Sequence, residues 1–314
     1  MPRLILRRIV RSIPLLLVVS AVSFVLESLV PGNTARALAG VEATHAEYER
    51  LRIALGLNRP LWYQYGHYLT QLVFHGRLGV DAFSGQSVTH ILAQRLPVTL
   101  SLVVLTTLFC AVVGVSLGVT SAVRGGALGK FVDFLSVVGF ALPAFLVGLL
   151  LQELLSVHFR WFPSVGYVAP SQSLWGWLHS LILPVLSLSL SPIAIVAKQS
   201  RESMKDVLER EYIRTLRASG ISRSRILWKH ALRNAVTPTL TVLGLVFVSA
   251  LSFTVFAENV FSLPGLGSLI VTAASAHDIP IIEGVTLYFT MFVIAVNIIL
   301  DVCYALINPK VRHR

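Results

Sequence analysis

Acidic residues are scarce: the chain has 15 Asp and Glu against 26 Lys and Arg in 314 residues, and charged residues of both signs make up only 13% of it. Hydrophobic residues make up 55%, more apolar surface than a soluble domain of this length could hide, so the composition points to an integral membrane protein. A net charge of +11 could suggest nucleic acid. The cations cluster beside apolar runs, however, which is a topology signal rather than a binding stripe, and nucleic acid is not an expected partner. Cysteine is nearly missing. Cys110 and Cys303 both fall inside apolar runs and read as small buried hydrophobes rather than a disulfide or metal ligands.

Catalytic signatures are missing as well. No G-x-x-x-x-G-K-[ST] phosphate loop occurs, so ATP hydrolysis by that route is excluded. There is no H-E-x-x-H, no paired cysteine ligand set and no credible Ser-His-Asp arrangement. Neither catalytic nor metal residues are therefore assigned, and no cofactor is expected on this chain. His45, His67, His75 and His90 share one polar segment, but their spacing is not ligand-like and solvated surface is the better reading. Few charges lie deep in the apolar runs, which argues against a proton-coupled carrier.

What is present is six apolar runs, at about 9–30, 96–122, 131–157, 180–197, 236–257 and 281–306. A helix of about 20 such residues crosses the hydrocarbon core of a bilayer. The expected fold is all-α: six transmembrane helices, N- and C-termini cytoplasmic, and an extracytoplasmic segment between helices 1 and 2. Nineteen of the 26 Lys and Arg residues then lie in cytoplasmic segments, seven outside, and six of those seven are in the one long external segment that tolerates them. Ala37-Leu38-Ala39 resembles a signal-peptide cleavage site. The first run is long for a signal core and Pro31-Gly32 ends it well before that site, so a retained span is expected. The segmentation is 1–31, the N-terminal span; 32–95, extracytoplasmic; 96–309, a five-helix core containing a cytoplasmic loop at 198–235; and 310–314, a cytoplasmic tail.

Within the external segment, helical spacing is expected over 43–55, followed by an aromatic run, Trp62, Tyr63, Tyr65, His67 and Tyr68. These aromatics suit an interfacial belt or a small cap facing a substrate-delivery protein. Pro97 is read at the first turn of the second span. Gly114 and Gly118 form a small-residue face there. Gly139 to Phe145, with Pro143, kinks or unwinds the third span. Pro184, Pro192 and the serines Ser187, Ser189 and Ser191 suit a helix lining a wet path, with plain helix packing an equal alternative.

The loop at 198–235 holds ten cationic side chains between Lys198 and Arg233. Leu208, Tyr212 and Leu216 stack on one helical face with Ile213 at its edge, and Arg210, Arg214 and Arg217 fall on the opposite face. Gly220 suits a left-handed cap, and Ser222 suits the N-cap of a second helix carrying Ile226, Leu227, His230 and Ala231. Taken alone, this is either a membrane-surface helix or a docking element for a soluble partner.

The string EYIRTLRASGISRSRILWKHALRNAVTP, Glu211 to Pro238, resembles the cytoplasmic loop of permease subunits of bacterial ABC importers, in the dipeptide/oligopeptide/nickel branch. LGLNRPLWYQYGHYL and GRLGVDAFSGQSV resemble the external segment of that family, although the family usually has an acid where this chain has Arg77. Gly139 to Phe145 is similar to its G-x-x-x-P-x-F element, Glu258 to Gly267 to its E-x-x-F-x-x-P-G-x-G segment, and Tyr304 to Arg312 to its terminal Y-A-x-x-D/N-P-R/K-x-R.

The resemblance implies ATPase docking by Glu209, Glu211, Tyr212, Arg214, Thr215, Leu216, Arg217, Ala218 and Gly220. It implies a translocation path near Pro143, Ser187, Ser191, Ser252 and Asn297, and an outer gate or turn at Glu258, Pro264, Gly265 and Gly267. It also implies a bacterial inner-membrane location, a second similar permease subunit, two ATPase subunits that bind ATP and Mg, and an extracytoplasmic substrate-binding protein. The expected function is ATP-driven import of di- or oligopeptides by alternating access. Nickel chelates or other small solutes are the alternative cargo, and a secondary transporter without an ATPase is the alternative class.

Overall fold

The computed structural model describes residues 2–29, 34–40 and 43–307. The Pro31-Gly32 stop and the tail at 310–314 lie outside the described residues, as does most of the terminal string. In chain order the helices are α1 (Pro2–Leu29), α2 (Thr34–Ala39), α3 (His45–Ala54), α4 (Leu61–His75), α5 (Val88–Arg124), α6 (Gly126–Ala141), α7 (Ala144–Leu151), α8 (Leu174–Glu209), α9 (Glu211–Ala218), α10 (Arg223–Arg225), α11 (Leu232–Val260), α12 (Leu266–Ala276) and α13 (Ile279–Ile307). Two π-helical stretches, Gln152–His158 and Ile226–Ala231, extend α7 and lead into α11. The strand-like pairing among the described residues is one isolated antiparallel bridge, Val80 with Ser87.

Among the described residues, five helical stretches are long and apolar enough to cross a membrane: Leu6–Leu29, Val88–Arg124, Leu174–Glu209, Arg223–Val260 and Ile279–Leu306. The third run is interrupted where Gly139 to Phe145 was expected to kink or unwind it. Gly126–Gly139 and Ala144–His158 form a pair bent by 98°, which counts as a sixth crossing only if the two halves make one broken span. The break has a local cause. Leu142 is extended at φ −95°, ψ 117°, as a residue before proline prefers, and Pro143 opens α7 where its missing N–H leaves no bond unmade.

Three expectations are corrected. Pro97 is interior to α5 rather than in its first turn, because the helix starts earlier, at Val88. The two helices and glycine turn expected within 198–235 are present, but the first part of that segment continues α8 instead of beginning a loop. In α8 the buried residues Val196, Ala197, Ser200, Ser203, Met204 and Val207 keep helical spacing past the point where the sequence turns basic, so the rod continues to Glu209. Finally, α4 and α12 are regular helices in segments read as an aromatic run and a turn; α12 has 11 residues, too few to cross a bilayer.

The chain divides into two compact units. The first holds residues 1–99 and 264–295. Its core is Leu78, Val88, Leu92, Leu266, Leu269, Ala273, Ile281 and Val285. Tyr65 ties α4 to α1: its hydroxyl donates to the Leu17 carbonyl at 3.0 Å and lies 2.8 Å from Ser20 Oγ. Thr99 Oγ1 accepts the Leu266 amide at 2.8 Å, capping the start of α12. Beyond α4, Asp81 and Asp278 form a carboxyl pair that shares a hydrogen bond. Backbone amides close around it: Ser84 and Phe83 donate to Asp81 at 3.0 and 3.2 Å, and Ala82 donates to Asp278 at 3.2 Å. Burial, together with the Asp81 hydrogen bond, pushes the Asp278 carboxyl up to about 7. Burial also acts to raise Asp81, but hydrogen bonds from Asp278, Ser84 and the two amides outweigh it and hold that group down at about 2.

The second unit holds residues 100–263 and 296–314. Its centre is α8: 61% of the apolar stretch of α8 is buried, against 33% for α5. Gly139 on α6 approaches Ser191 and Ala194 of α8, while Gly114 and Gly118 on α5 approach Val196, Ala197 and Ser200. Small residues on both sides let these backbones come close. Arg201 at the polar end of α8 donates to Asp133 at 2.8 Å and to the Gly129 carbonyl at 3.0 Å, fixing α6 to α8.

Candidate functional site

The site grows from the end of α8. Arg210 has extended backbone (φ −64°, ψ 147°) and serves both as C-cap of α8 and as N-cap of α9, so the two helices meet at a one-residue corner. Glu209, read with the following helix, is therefore the last residue of α8. Glu211 stands in the first turn of α9 and Arg217 in its last, each at the end where the helix dipole favours its charge.

α9 is seated by one side chain. Ile213 is fully buried among Met204, Val207, Ile226, Ala231 and Ala235, with Leu208, Tyr212, Leu216 and Ile221 packed around them. Leu208, Tyr212 and Leu216 all pack on this cluster, but not as one helical face: Leu208 belongs to α8, across the Arg210 corner from Tyr212 and Leu216, and Ile213 rather than these three is fully buried. Tyr212 adds a polar tie, accepting from Asn234 Nδ2 at 3.0 Å. The opposite face carries Arg210, Glu211, Arg214, Thr215, Arg217 and Ala218, all exposed. Among the described residues, neither Arg214 nor Arg217 has an acidic partner within the chain.

The turn after α9 is a Schellman motif. Gly220 has φ +76°, its amide donates to the Arg217 carbonyl at 3.1 Å, and the Ile221 amide donates to the Leu216 carbonyl at 3.2 Å. Leu216 and Ile221 supply the accompanying apolar contact. Ser222 stands at the N-cap position of α10, but its side chain makes no capping bond. Arg223 Nη2 donates to the Val123 carbonyl at 3.3 Å, fixing the turn to the end of α5.

The other sequence-derived positions are scattered. Pro143 sits at the α6–α7 break. Ser187 is buried on α8, facing Gly148 of α7, and donates to the Pro184 carbonyl at 2.8 Å. Ser191 is half-buried against Gly139. Ser252 is exposed and donates to the Val248 carbonyl at 3.3 Å, and Asn297 is exposed on α13. Glu258 is fully buried in the last turn of α11. Pro264 is exposed, Gly265 is the N-cap of α12 in extended backbone, and Gly267 lies inside that helix; the positive φ in this stretch belongs to Ser262. Two structural pairs went unread, Asp133 with Arg201 and Tyr212 with Asn234, and nothing in the spacing of either announces the contact.

A many-helix apolar chain with a broken helix pair and a clamped amphipathic helix at the end of its central rod is of the kind found in membrane transport proteins. A solved structure of the MetNI methionine ABC transporter, in inward-facing conformations, matches with a TM-score of 0.50, covering 68% of this chain and 96% of that one; at 14% identity this is a likeness of fold alone. The chain belongs to the family of binding-protein-dependent transport system inner membrane components: the family model matches residues 113–313, and the model of the N-terminal part of such components matches residues 1–103. A protein of Brucella abortus named as a peptide transport system permease is 39% identical over 314 residues, the whole of both chains. The glutathione transport system permease protein of Pectobacterium atrosepticum is 38% identical over 310 residues, 98% of each chain. This is a membrane permease of the ABC importer type.

Proposed function

We infer that this chain is one permease subunit of an ATP-driven, binding-protein-dependent importer of short peptides in a bacterial inner membrane. The observation that carries the reading is α9: an eight-residue helix anchored by Ile213, clamped by the Gly220 turn, and offering Arg214 and Arg217 outward without internal partners. Such a rigid, charged projection suits a groove on a soluble partner better than a lipid surface, where it would need an apolar outer face. Peptide and glutathione transport in the names of full-length relatives supports the cargo class, glutathione being itself a tripeptide.

On this reading, ATP and Mg bind two partner ATPase subunits, not this chain. A second, similar permease completes the path, and an extracytoplasmic protein delivers the peptide. The N-terminus and α9 face the cytoplasm, in keeping with the placement of 19 cations on that side. Closure of the ATPase pair moves α9, and through α8 the spans alternate between outward and inward access.

The test is recovery of partners on the tagged chain from mildly solubilised membranes, read by mass spectrometry. An ATPase subunit recovered with the native chain and lost on altering Leu216 or Gly220 is the expected result. Recovery of no ATPase in several mild detergents would overturn the reading.

A further inference from the structure

A second site lies in the unit formed by residues 1–99 and 264–295. A cavity of about 510 Å³ opens between α1, α4, the loop after α4 and the first turns of α13. This is within the range of small-molecule sites. Most of its wall is apolar. On its wall stands Glu283, only 1% exposed, with both carboxyl oxygens buried and no partner at hydrogen-bond distance, although the Ser23 side chain lies close enough to act on it. The hydroxyl of Tyr68, also on the wall, is buried and unpartnered too. Off the wall, the carboxyl of Glu27 lies close enough to feel Glu283; its oxygens are buried with no partner at hydrogen-bond distance, and the same Ser23 side chain lies near it. Among the described residues, no Lys or Arg lines the cavity.

Two buried carboxyls and a phenol without partners are costly to maintain in an apolar wall. A hard metal ion is a poor answer, because it needs about six or more oxygens and, among the described residues, no group of three or more metal-binding side chains exists. An ammonium answers the two groups on the wall, offering N–H donors to the Glu283 carboxyl and the Tyr68 oxygen, and its charge also favours the neighbouring Glu27 acid, which lies off the wall but is coupled to Glu283. The rings of Phe24, Tyr63 and Tyr68 on the same wall add the electron-rich faces that attract an organic cation. Depth agrees: Glu27 lies near the end of the Leu6–Leu29 span and Glu283 near the start of the Ile279–Leu306 span, so the acids sit at the rim of the apolar zone.

We propose that this cavity binds a primary ammonium carried on an apolar body. The same chemistry comes from two sources, the amino headgroup of a membrane lipid and the free N-terminus of a short apolar peptide. The assignment stands independently of the importer reading, since it concerns residues far in sequence from α9 and needs no ATPase.

The test uses the full chain in nanodiscs of phosphatidylglycerol, which brings no amine, read by native mass spectrometry. Phosphatidylethanolamine and leucyl-leucine are the two probes, with N-acetyl-leucyl-leucine as the control lacking the ammonium. One probe should bind at one per chain, and Glu283→Gln and Glu27→Gln should each weaken it at least tenfold. Phosphatidylethanolamine retained alone assigns a lipid site; leucyl-leucine bound while the acetylated form is not assigns a peptide site. Binding of neither probe, or equal binding by both Gln variants, would overturn the proposal and leave the acids as a neutral structural pair. If Glu283→Gln fails to fold, as judged by size exclusion, Glu27→Gln carries the same decision.

Discussion

Gly118 of α5 lies against the Ala197 carbonyl of α8 with no room for a side chain. A methyl built on it would strike that oxygen and stand 2.6 Å from Ser200 Cβ and 3.0 Å from the Arg201 amide nitrogen. Gly118→Ala should therefore push two backbones apart and destabilise the chain by about 1–3 kcal/mol, the usual range for overpacking. Gly244→Ala is the control, since the new methyl would meet the tip of Leu300, which can rotate away. Thermal unfolding in detergent should show a clearly larger loss for Gly118→Ala, and equal losses would refute the close-packing account.

Gly220 is constrained by its backbone and not by its neighbours, because a Cβ there meets nothing within 4 Å. At φ +76°, an L-residue pays roughly 1–2 kcal/mol, β-branched residues more and Asn less. ATP-driven uptake should be nearly normal for Gly220→Asn, reduced for Gly220→Ala and abolished for Gly220→Val, with all three inserted in the membrane. Full activity of the Val variant would show that the turn is not part of coupling.

Ile213 and the arginines of α9 should fail in different ways. Removing a fully buried isoleucine costs about 2–5 kcal/mol, so Ile213→Ala should loosen α9 and raise its hydrogen exchange. Arg214→Ala with Arg217→Ala should leave exchange unchanged yet lower recovery of the ATPase several-fold. Loosening by the arginine pair would mean that these side chains hold the fold instead of a partner.

The Asp81–Asp278 pair predicts a pH response. Asp278 binds its proton more tightly folded than unfolded, so its contribution is fully present below about 4 and is lost as pH rises through about 7. Asp81 behaves oppositely: its contribution is present above about 4 and fades as pH falls towards 2. The 81–86 loop should thus be tightest near pH 4–6. Intrinsic-rate-corrected exchange at the Ala82 amide, which donates to Asp278, should rise between pH 6 and 8. Asp278→Asn should flatten that rise; a rise that persists would exclude the pair as its cause.

The spans were legible because apolar runs are long and the charges between them few. The limits of legibility are physical. Lys198 to Glu209 reads as loop by charge, yet Ser200, Ser203, Met204 and Val207 continue the buried stripe of α8, and small polar residues carry no hydropathy signal. Gly220 was readable from local chemistry alone, since only glycine meets positive φ freely. Ile213 was visible as apolar, but its place at the centre of the cluster depends on Ile226, Ala231 and Ala235, which arrive from another helix. Asp133 with Arg201 and Glu27 with Glu283 are separated by whole spans, and no periodicity connects them.

The length of α8 sets a scale for motion. Its 36 residues make a rod about 54 Å long at about 1.5 Å per residue, while the hydrocarbon core is about 30 Å thick. If the rod pivots near Ser187 and Ser191, about 20 residues or about 30 Å of it lie between the pivot and Arg210, and a tilt of about 10° would carry the corner held by Arg210 through about 5 Å, roughly half the width of a helix. Stiffness then matters more than contact. Pro184 and Pro192 each leave one backbone bond of the rod unmade, and on the proposed lever reading the bending compliance of those two points would decide how much of such a sweep arrives at α9.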